Sequence, residues 1–361
     1  VAYLKEPQTF SREKITKQTS QDVYRNCQDY ECLKSAIGQI VATSGPQTAL
    51  EAMQETITSL SFTFDDHQFA HEVGRQTAKI RGVSGEAFLT CSTEFNYGCQ
   101  HGFFEYALAQ SNSSEEAASL VCDSLPQDLP PKDHFYCYHG LGHGIMMASA
   151  YDLDRALATC NSQDQGQVGC WQGVFMENVN ASLRGEARNG VFSPKDPLAP
   201  CNKIDQKYHW QCYINHAGYL MSFFQGDFAS ASRSCLKADA DSQNACLQSL
   251  GLMVSNPTWQ SSIAGTKVDD TPQTYINLCQ KFPKDYLDQC IIGTIDNIMN
   301  FDQLDIAKRA IPFCLQVNSN RQTCLRHIVF GIKSQSKDSA KIAEICSQIE
   351  AHSPGICKDI V

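Results

Sequence analysis

No stretch of this chain approaches the roughly 18 consecutive apolar residues that a membrane-spanning helix needs, so we predict no membrane span. Charged residues are scarce, at 19%, but apolar residues make up 42%, which is too many for a disordered chain. Positive charge is in deficit, since 29 Lys and Arg face 39 Asp and Glu. A nucleic-acid-binding protein needs a basic face for phosphates, so nucleic acid is not expected as a partner.

Several short motifs of enzymes and metalloproteins are missing too. The chain has no clustered CxxC pairs and no CxxCH sequence, which argues against a cytosolic zinc protein and against attached haem. The sequence HGLGHG at 139–144 is not a phosphate loop, because no strand pattern precedes it and no GK[ST] follows it. We therefore predict no nucleotide cofactor. A GxSxG elbow is absent as well, so a hydrolase nucleophile has no support.

Cysteine, by contrast, is abundant, with 18 residues. Reducing compartments rarely maintain many disulfides, so a paired set predicts a secreted, extracellular or periplasmic protein. The chain begins at Val1 without Met, which we interpret as removal of a signal peptide. Asn112 and Asn180 lie in N-x-S sequons, and whether they carry glycans depends on the host.

The cysteines are spaced as a repeat. From Cys99 onward, the second members of consecutive pairs lie 33 to 44 residues apart. The gap between Cys32 and Cys99 spans about two repeats, and Asp65 occupies the expected second-cysteine position there. The predicted sequential pairs are Cys27 with Cys32, Cys91 with Cys99, Cys122 with Cys137, Cys160 with Cys170, Cys201 with Cys212, Cys235 with Cys246, Cys279 with Cys290, Cys314 with Cys324, and Cys346 with Cys357.

This spacing predicts helical hairpins. Two cysteines 11 positions apart on one straight helix would lie about 16 Å apart, whereas a disulfide needs Cα atoms within about 7 Å. The chain must therefore turn between them, so each bridge joins the end of one helix to the start of the next. Four glycines, each three places after a second cysteine, predict close helix–helix contacts: Gly102, Gly140, Gly173 and Gly293.

Stacked hairpins of about 34 residues form an α-solenoid. We predict an all-α fold, a right-handed α-solenoid of about ten helical hairpins, in which 1–26 is an N-terminal extension and 27–361 a single repeat domain. Two longer spacings correspond to insertions at 183–200 and 255–271. The pattern, for example CLKADADSQNACLQSLG at 235–251, resembles the Sel1-like and tetratricopeptide repeat families, especially their cysteine-rich secreted members. That resemblance implies a solenoid surface that binds other proteins, and it implies no catalytic residue.

Histidines recur at equivalent positions of three consecutive repeats, within 60–150. Counted from the second cysteine, with Asp65 in its place where the cysteine is missing, one set lies at +2 and another at +6. Residues four apart share one face of a helix. By chance, six such positions would hold far fewer than one of the chain's 10 histidines. The positions at +2 are His67, His101 and His139, and those at +6 are His71, Glu105 and His143.

These six residues are our candidate metal ligands. Imidazole suits zinc, copper, iron and nickel, and facing helices supply ligands through i,i+4 pairs. Five His and one Glu suit one or two transition-metal ions, with iron or copper favoured and zinc possible. The ligand set is similar to that of the hemerythrins, which implies a dinuclear iron centre. Glu105 is the candidate bridging or general-base group, and the candidate outer partners are Asp65, Asp66, Glu72 and Glu177.

Two functions remain open from the sequence. The first is a secreted metal protein with redox or oxygen chemistry, in which an oxidoreductase is favoured over a hydrolase. The second is a non-catalytic extracellular scaffold, filament subunit or protein-binding module that acts or self-assembles through its surface. In that case the histidines are structural, form a pH-sensitive seam or store metal.

Overall fold

A computed structural model of the chain shows helices connected by short turns. It describes residues 16–60, 66–92, 94–95, 97–163, 165–185, 192–256, 260–261, 268–301, 306–317, 320–335 and 338–358. The described residues form nineteen α-helices and no β-strand, which confirms the all-α prediction. They divide into two compact units, Val1–Gln127 and Asp128–Val361.

The first unit contains seven α-helices. The 3₁₀ turn Ile57–Ser59 follows α3. Its helices are α1 (Lys17–Arg25), α2 (Tyr30–Ser44), α3 (Pro46–Thr56), α4 (Asp66–Arg81), α5 (Gly85–Phe88), α6 (Gly98–Gln110) and α7 (Ser114–Val121).

The second unit contains the other twelve. Gln206–Tyr208 and Lys284–Tyr286 are 3₁₀ turns, and Ile306–Ala310 is a π-helical turn. Its helices are α8 (Pro131–Ala148), α9 (Leu153–Asn161), α10 (Gln167–Leu183), α11 (His209–Ile214), α12 (Ala217–Phe223), α13 (Phe228–Cys235), α14 (Ala240–Val254), α15 (Pro272–Cys279), α16 (Leu287–Phe301), α17 (Ile311–Gln316), α18 (Arg321–Gln335) and α19 (Ser339–Glu350).

Short polar side chains begin many of these helices. Asp152 accepts a hydrogen bond from the backbone N–H of Arg155 at the start of α9, and Ser113 accepts one from Glu116 at the start of α7. Such caps satisfy backbone donors that have no partner inside the helix, and each contributes about 1 kcal/mol. Ser113 and Asp152 therefore fix the starts of α7 and α9.

The disulfides pair cysteines that are sequential in the chain, as the spacing predicts, and most of them join the end of one helix to the start of the next. Their Cα–Cα distances run from 5.4 to 5.9 Å. Cys122 and Cys137 are disulfide-bonded too, and the described residues include no free cysteine. The eight resolved pairs are Cys27–Cys32, Cys91–Cys99, Cys160–Cys170, Cys201–Cys212, Cys235–Cys246, Cys279–Cys290, Cys314–Cys324 and Cys346–Cys357.

The finer fold predictions stay predictions. Neither the solenoid arrangement nor its handedness is settled, and the same holds for a single repeat domain over 27–361. Helix α1 lies within the predicted extension, and its Tyr24 ring is fully buried and packs edge-on against Phe69. Asp65 and much of both predicted insertions lie outside the described residues. Among the helices described, none is both long and apolar enough to cross a bilayer.

Candidate metal centre

Helices α4 and α6 cross at two glycines in the first unit. A Cβ on Gly74 would lie 1.9 Å from the carbonyl oxygen of Cys99, and a Cβ on Gly102 would lie 1.9 Å from that of His71. No side chain fits at either point, so the two backbones come into direct contact. This confirms the close approach predicted at Gly102, and it places the side chains of α4 and α6 next to each other.

Three histidine rings meet beside this crossing. His67 and His71 lie one turn apart on α4, with their Nε2 atoms 3.0 Å apart, and His101 comes from α6. The ring centroids are 4.5 Å apart for His67 and His71, and 5.5 Å from each of these to His101. One ring nitrogen from each residue lies within 4.8 Å of the other two, so the three could hold a metal ion.

The outward-facing nitrogens of two rings bind hydrogen-bond acceptors. His67 Nδ1 lies 2.8 Å from the carbonyl oxygen of Phe95, and His71 Nδ1 binds Glu105 Oε1. Carbonyl and carboxylate oxygens only accept, so both Nδ1 atoms carry the proton and donate it. Metal-binding histidines are oriented in this way by carbonyl or carboxylate partners.

The loop before α6, which carries the Phe95 carbonyl, contains two residues in left-handed backbone conformations. Phe95 has φ 53°, and Tyr97, directly before α6, has φ 62°. Non-glycine residues rarely adopt left-handed backbone conformations, which cost on the order of 1 kcal/mol each. Phe95 also packs against Phe69, which holds the loop on α4.

An arginine fixes the carboxylate. Arg75 donates to Glu105 Oε2 and also to Glu72, and Gln76 donates to the other oxygen of Glu72. Burial raises the pKa of the Glu105 carboxyl, but the His71 hydrogen bond and the Arg75 charge outweigh it and hold this pKa below its usual value. Glu105 is therefore ionised at neutral pH, with both oxygens occupied.

A second cluster of similar composition occurs in the other unit. His139 and His143 lie one turn apart on α8, with Nε2 atoms 3.1 Å apart. His143 Nδ1 donates to Glu177 Oε2 at 3.0 Å, and Arg184 binds the other oxygen of Glu177 at 2.8 Å. In both clusters, 34 residues separate the donor histidine from its glutamate.

The helix crossings show which residues of the two clusters correspond. Helices α8 and α10 cross at Gly142 and Gly173, and a Cβ on Gly173 would lie 2.0 Å from the carbonyl oxygen of His139. Gly102 approaches His71 in the same way, so His139 corresponds to His71. Two residues after the cysteine, α6 carries His101, whereas α10 carries Gln172.

The second cluster needs no cation. Its His139 Nδ1 is buried and has no hydrogen-bond partner among the described residues, so that nitrogen need not carry the ring proton. His139 can instead donate from Nε2 to the unprotonated Nε2 of His143. Burial, together with the neighbouring His143 ring, holds the pKa of His139 well below its usual value, although Gln172 beside it opposes this shift. One hydrogen bond between the two Nε2 atoms therefore satisfies both rings where they face each other.

The structure distributes the six predicted ligands over both units. It brings His67, His71, His101 and Glu105 together in the first unit, and it places His139 and His143 in the second. A single centre that takes all six stays a prediction. Among the predicted outer partners, Glu177 binds His143 and Glu72 binds Arg75, whereas Asp66 is exposed in the first turn of α4. Asp65 lies outside the described residues.

Sequence reasoning missed three parts of this site. Arg75 lies four residues after His71, so the helical spacing could have indicated it. Gln172 stands at the +2 position of its repeat, and the absence of a histidine there indicates that this repeat differs from the one with His101. The backbone carbonyl of Phe95 leaves no trace in the residue pattern.

Histidines away from the clusters are bonded to ordinary structural acceptors. His216 is buried and donates from Nε2 to the carbonyl oxygen of Pro197 at 2.7 Å. His209 pairs with Asp239, and His327 pairs with Asp296. These three histidines therefore have structural roles.

The three-histidine group offers neutral nitrogen donors of the kind that zinc, copper, iron and nickel take in proteins. Comparison with known proteins adds no assignment. No protein-family model, no curated protein and no solved structure matches this chain.

Proposed function

We propose that this protein binds one divalent transition-metal ion through His67, His71 and His101. The observation that carries the proposal is the approach of two ring nitrogens, His67 Nε2 and His71 Nε2, to 3.0 Å. Each ring already uses its proton at Nδ1, so in the neutral state both Nε2 atoms present lone pairs. Two facing lone pairs repel unless a cation lies between or beside them.

A proton and a metal ion are the two cations that fit. A proton would need only the two rings of α4. The third ring, His101, brings a further nitrogen within 4.8 Å of the other two, and a proton shared by His67 and His71 needs no third acceptor. The convergence of three donors from two helices therefore favours a metal ion.

The His67 and His71 nitrogens suit such an ion after a small movement, and the His101 nitrogen lies within 4.8 Å of them. Imidazole nitrogens bind zinc at about 2.0–2.1 Å, so two of them on a tetrahedral ion lie about 3.3–3.4 Å apart. The present 3.0 Å between His67 and His71 requires an opening of a few tenths of an ångström. The Nδ1 partners of both rings already hold the orientations that binding needs.

The donor chemistry limits the choice of metal. Calcium and magnesium prefer oxygen ligands, and the three nitrogens offer none. Glu105 is not free to bridge two ions, because Arg75 and His71 occupy its oxygens. This supports a single ion over the dinuclear centre predicted from the ligand inventory. The metals that suit this donor set are zinc, copper, nickel and ferrous iron. Elemental analysis identifies which of them is bound.

The disulfides support an oxidising compartment as the place of action. Cytosolic thiol systems keep cysteines reduced, whereas every cysteine among the described residues is oxidised. We therefore place this metal protein outside the cytosol, either secreted or in a periplasm.

Metal stoichiometry tests the proposal. Purified protein, loaded with zinc and dialysed, should hold one ion per chain by elemental analysis. His101→Gln should lose it, and His352→Gln should retain it because His352 is exposed and distant in sequence from the cluster. A wild-type protein that retains no zinc, copper, nickel or iron after loading would contradict the proposal. In that case the non-catalytic scaffold would be the surviving hypothesis.

A further inference from the structure

On the basis of the proposed metal site, we infer that the bound ion keeps one coordination position for an exchangeable ligand from solvent, namely water or a small anion. Structural zinc sites are closed by four protein ligands, whereas sites that exchange ligands have three protein ligands and an open position. Three is the number of donors that converge here among the described residues.

Two neighbouring carboxylates and the cysteines that could close the site are already engaged. Every cysteine of the described chain is oxidised, so no thiolate is present there. Glu105 is bound by His71 and Arg75, and Glu72 is bound by Arg75 and Gln76. Recruiting either carboxylate would break an arginine ion pair in a partly buried position, which is costly.

The three rings differ in their exposure to solvent. His71 and His101 are buried, whereas His67, in the first turn of α4, is partly exposed. His67 is therefore the ring of the three that solvent reaches.

The local charge favours an anion in that position. The three ligands are neutral, and the charged side chains bonded around them are Glu72, Glu105 and Arg75. These contribute a net charge of −1, so a divalent ion leaves the assembly at +1. An uncompensated charge in a partly buried site is unfavourable, and one monovalent anion neutralises it.

Cobalt-substituted protein tests the inference, because the visible spectrum of Co²⁺ reports its coordination. Azide titrated into the cobalt protein should change this spectrum saturably, with one azide per cobalt. Metal-free protein and His101→Gln should show no change.

Each outcome has a separate meaning. Failure to bind cobalt or zinc at all would overturn the metal site itself. A cobalt site that needs His101 but ignores azide would overturn only the open position. The open position would also be overturned if azide binds in Asp65→Asn but not in the wild type, because Asp65 would then fill the fourth position.

Discussion

The crossing of α4 with α6 and the crossing of α8 with α10 carry similar sets of side chains. They differ in which histidine ring nitrogens have a hydrogen-bond acceptor. Both have two histidines one turn apart whose Nε2 atoms face each other, at 3.0 and 3.1 Å, and both have a glutamate held by an arginine. In the first, Phe95 and Glu105 take the Nδ1 protons of both rings. In the second, His139 keeps its Nδ1 unbonded and can donate from Nε2.

This difference shows that a pair of facing histidines is not by itself a metal site. Two features distinguish the first crossing. The Phe95 carbonyl holds the ring proton of His67 on Nδ1, and His101 adds a third ring. The second crossing has Gln172 at the position of His101, and its His139 and His143 form a buried hydrogen-bonded pair. Exchanging the residues at the +2 position therefore tests how far the third ring accounts for the difference.

The largest expected effect comes from exchanging the residues at the +2 position. His101→Gln should weaken zinc binding by more than about a hundredfold, because it removes a ligand rather than an outer partner. Gln172→His should add a third imidazole beside His139, which Gln172 contacts, and raise the zinc stoichiometry from one to two. Titration calorimetry measures both. If Gln172→His remains folded and the zinc stoichiometry stays at one, the third ring does not account for the difference between the clusters.

His216, a buried histidine outside both clusters, shows the effect of protonation without metal binding. Burial lowers the pKa of His216 from 6.5 to about 4. The unfolded chain therefore binds this proton between pH 6.5 and 4 while the folded chain does not, so the free energy of unfolding falls as the pH drops through that window. The loss amounts to about 3 kcal/mol, and it should be present with or without metal.

Urea denaturation at several pH values measures this effect. His216→Gln should flatten the pH dependence by about that amount, whereas His352→Gln should leave it unchanged. An unaltered slope in His216→Gln would show that His216 does not resist protonation in the folded state.

The smallest effect distinguishes the two glutamates. Glu105→Gln keeps an acceptor for His71 Nδ1 but removes the charge, so zinc affinity should fall about tenfold with the stoichiometry unchanged. Glu177→Gln is the matched control, and zinc affinity should not change, because its cluster holds no ion. A Glu105→Gln variant that loses its ion altogether would instead support the sequence prediction of Glu105 as a ligand.

The cysteine spacing carried most of what could be predicted about the fold. A bridge between residues 10 or 11 apart forces a turn, so the helices on both sides of Cys160–Cys170 followed from geometry. The i,i+4 rule likewise placed His67 beside His71 and His139 beside His143. Residue spacing along one helix is fixed by backbone geometry, which is why these predictions are confirmed.

Relations between helices were less predictable. Counting from the cysteines aligns His139 with His67, whereas the contacts of Gly102 and Gly173 align it with His71. The register of two crossing helices depends on where their glycines meet, and loops of different length shift it. Hydrogen bonds across these crossings, such as those from Arg75 to Glu105 and from His143 to Glu177, depend on that register.

The central claim is that three imidazoles from α4 and α6 bind one metal ion. X-ray absorption spectroscopy of the zinc-loaded protein tests it most directly, because imidazole ligands give a distinctive scattering pattern. We predict three imidazole nitrogens at about 2.0 Å and one further light atom. A shell made only of oxygen atoms, or one that includes sulfur, would contradict the claim.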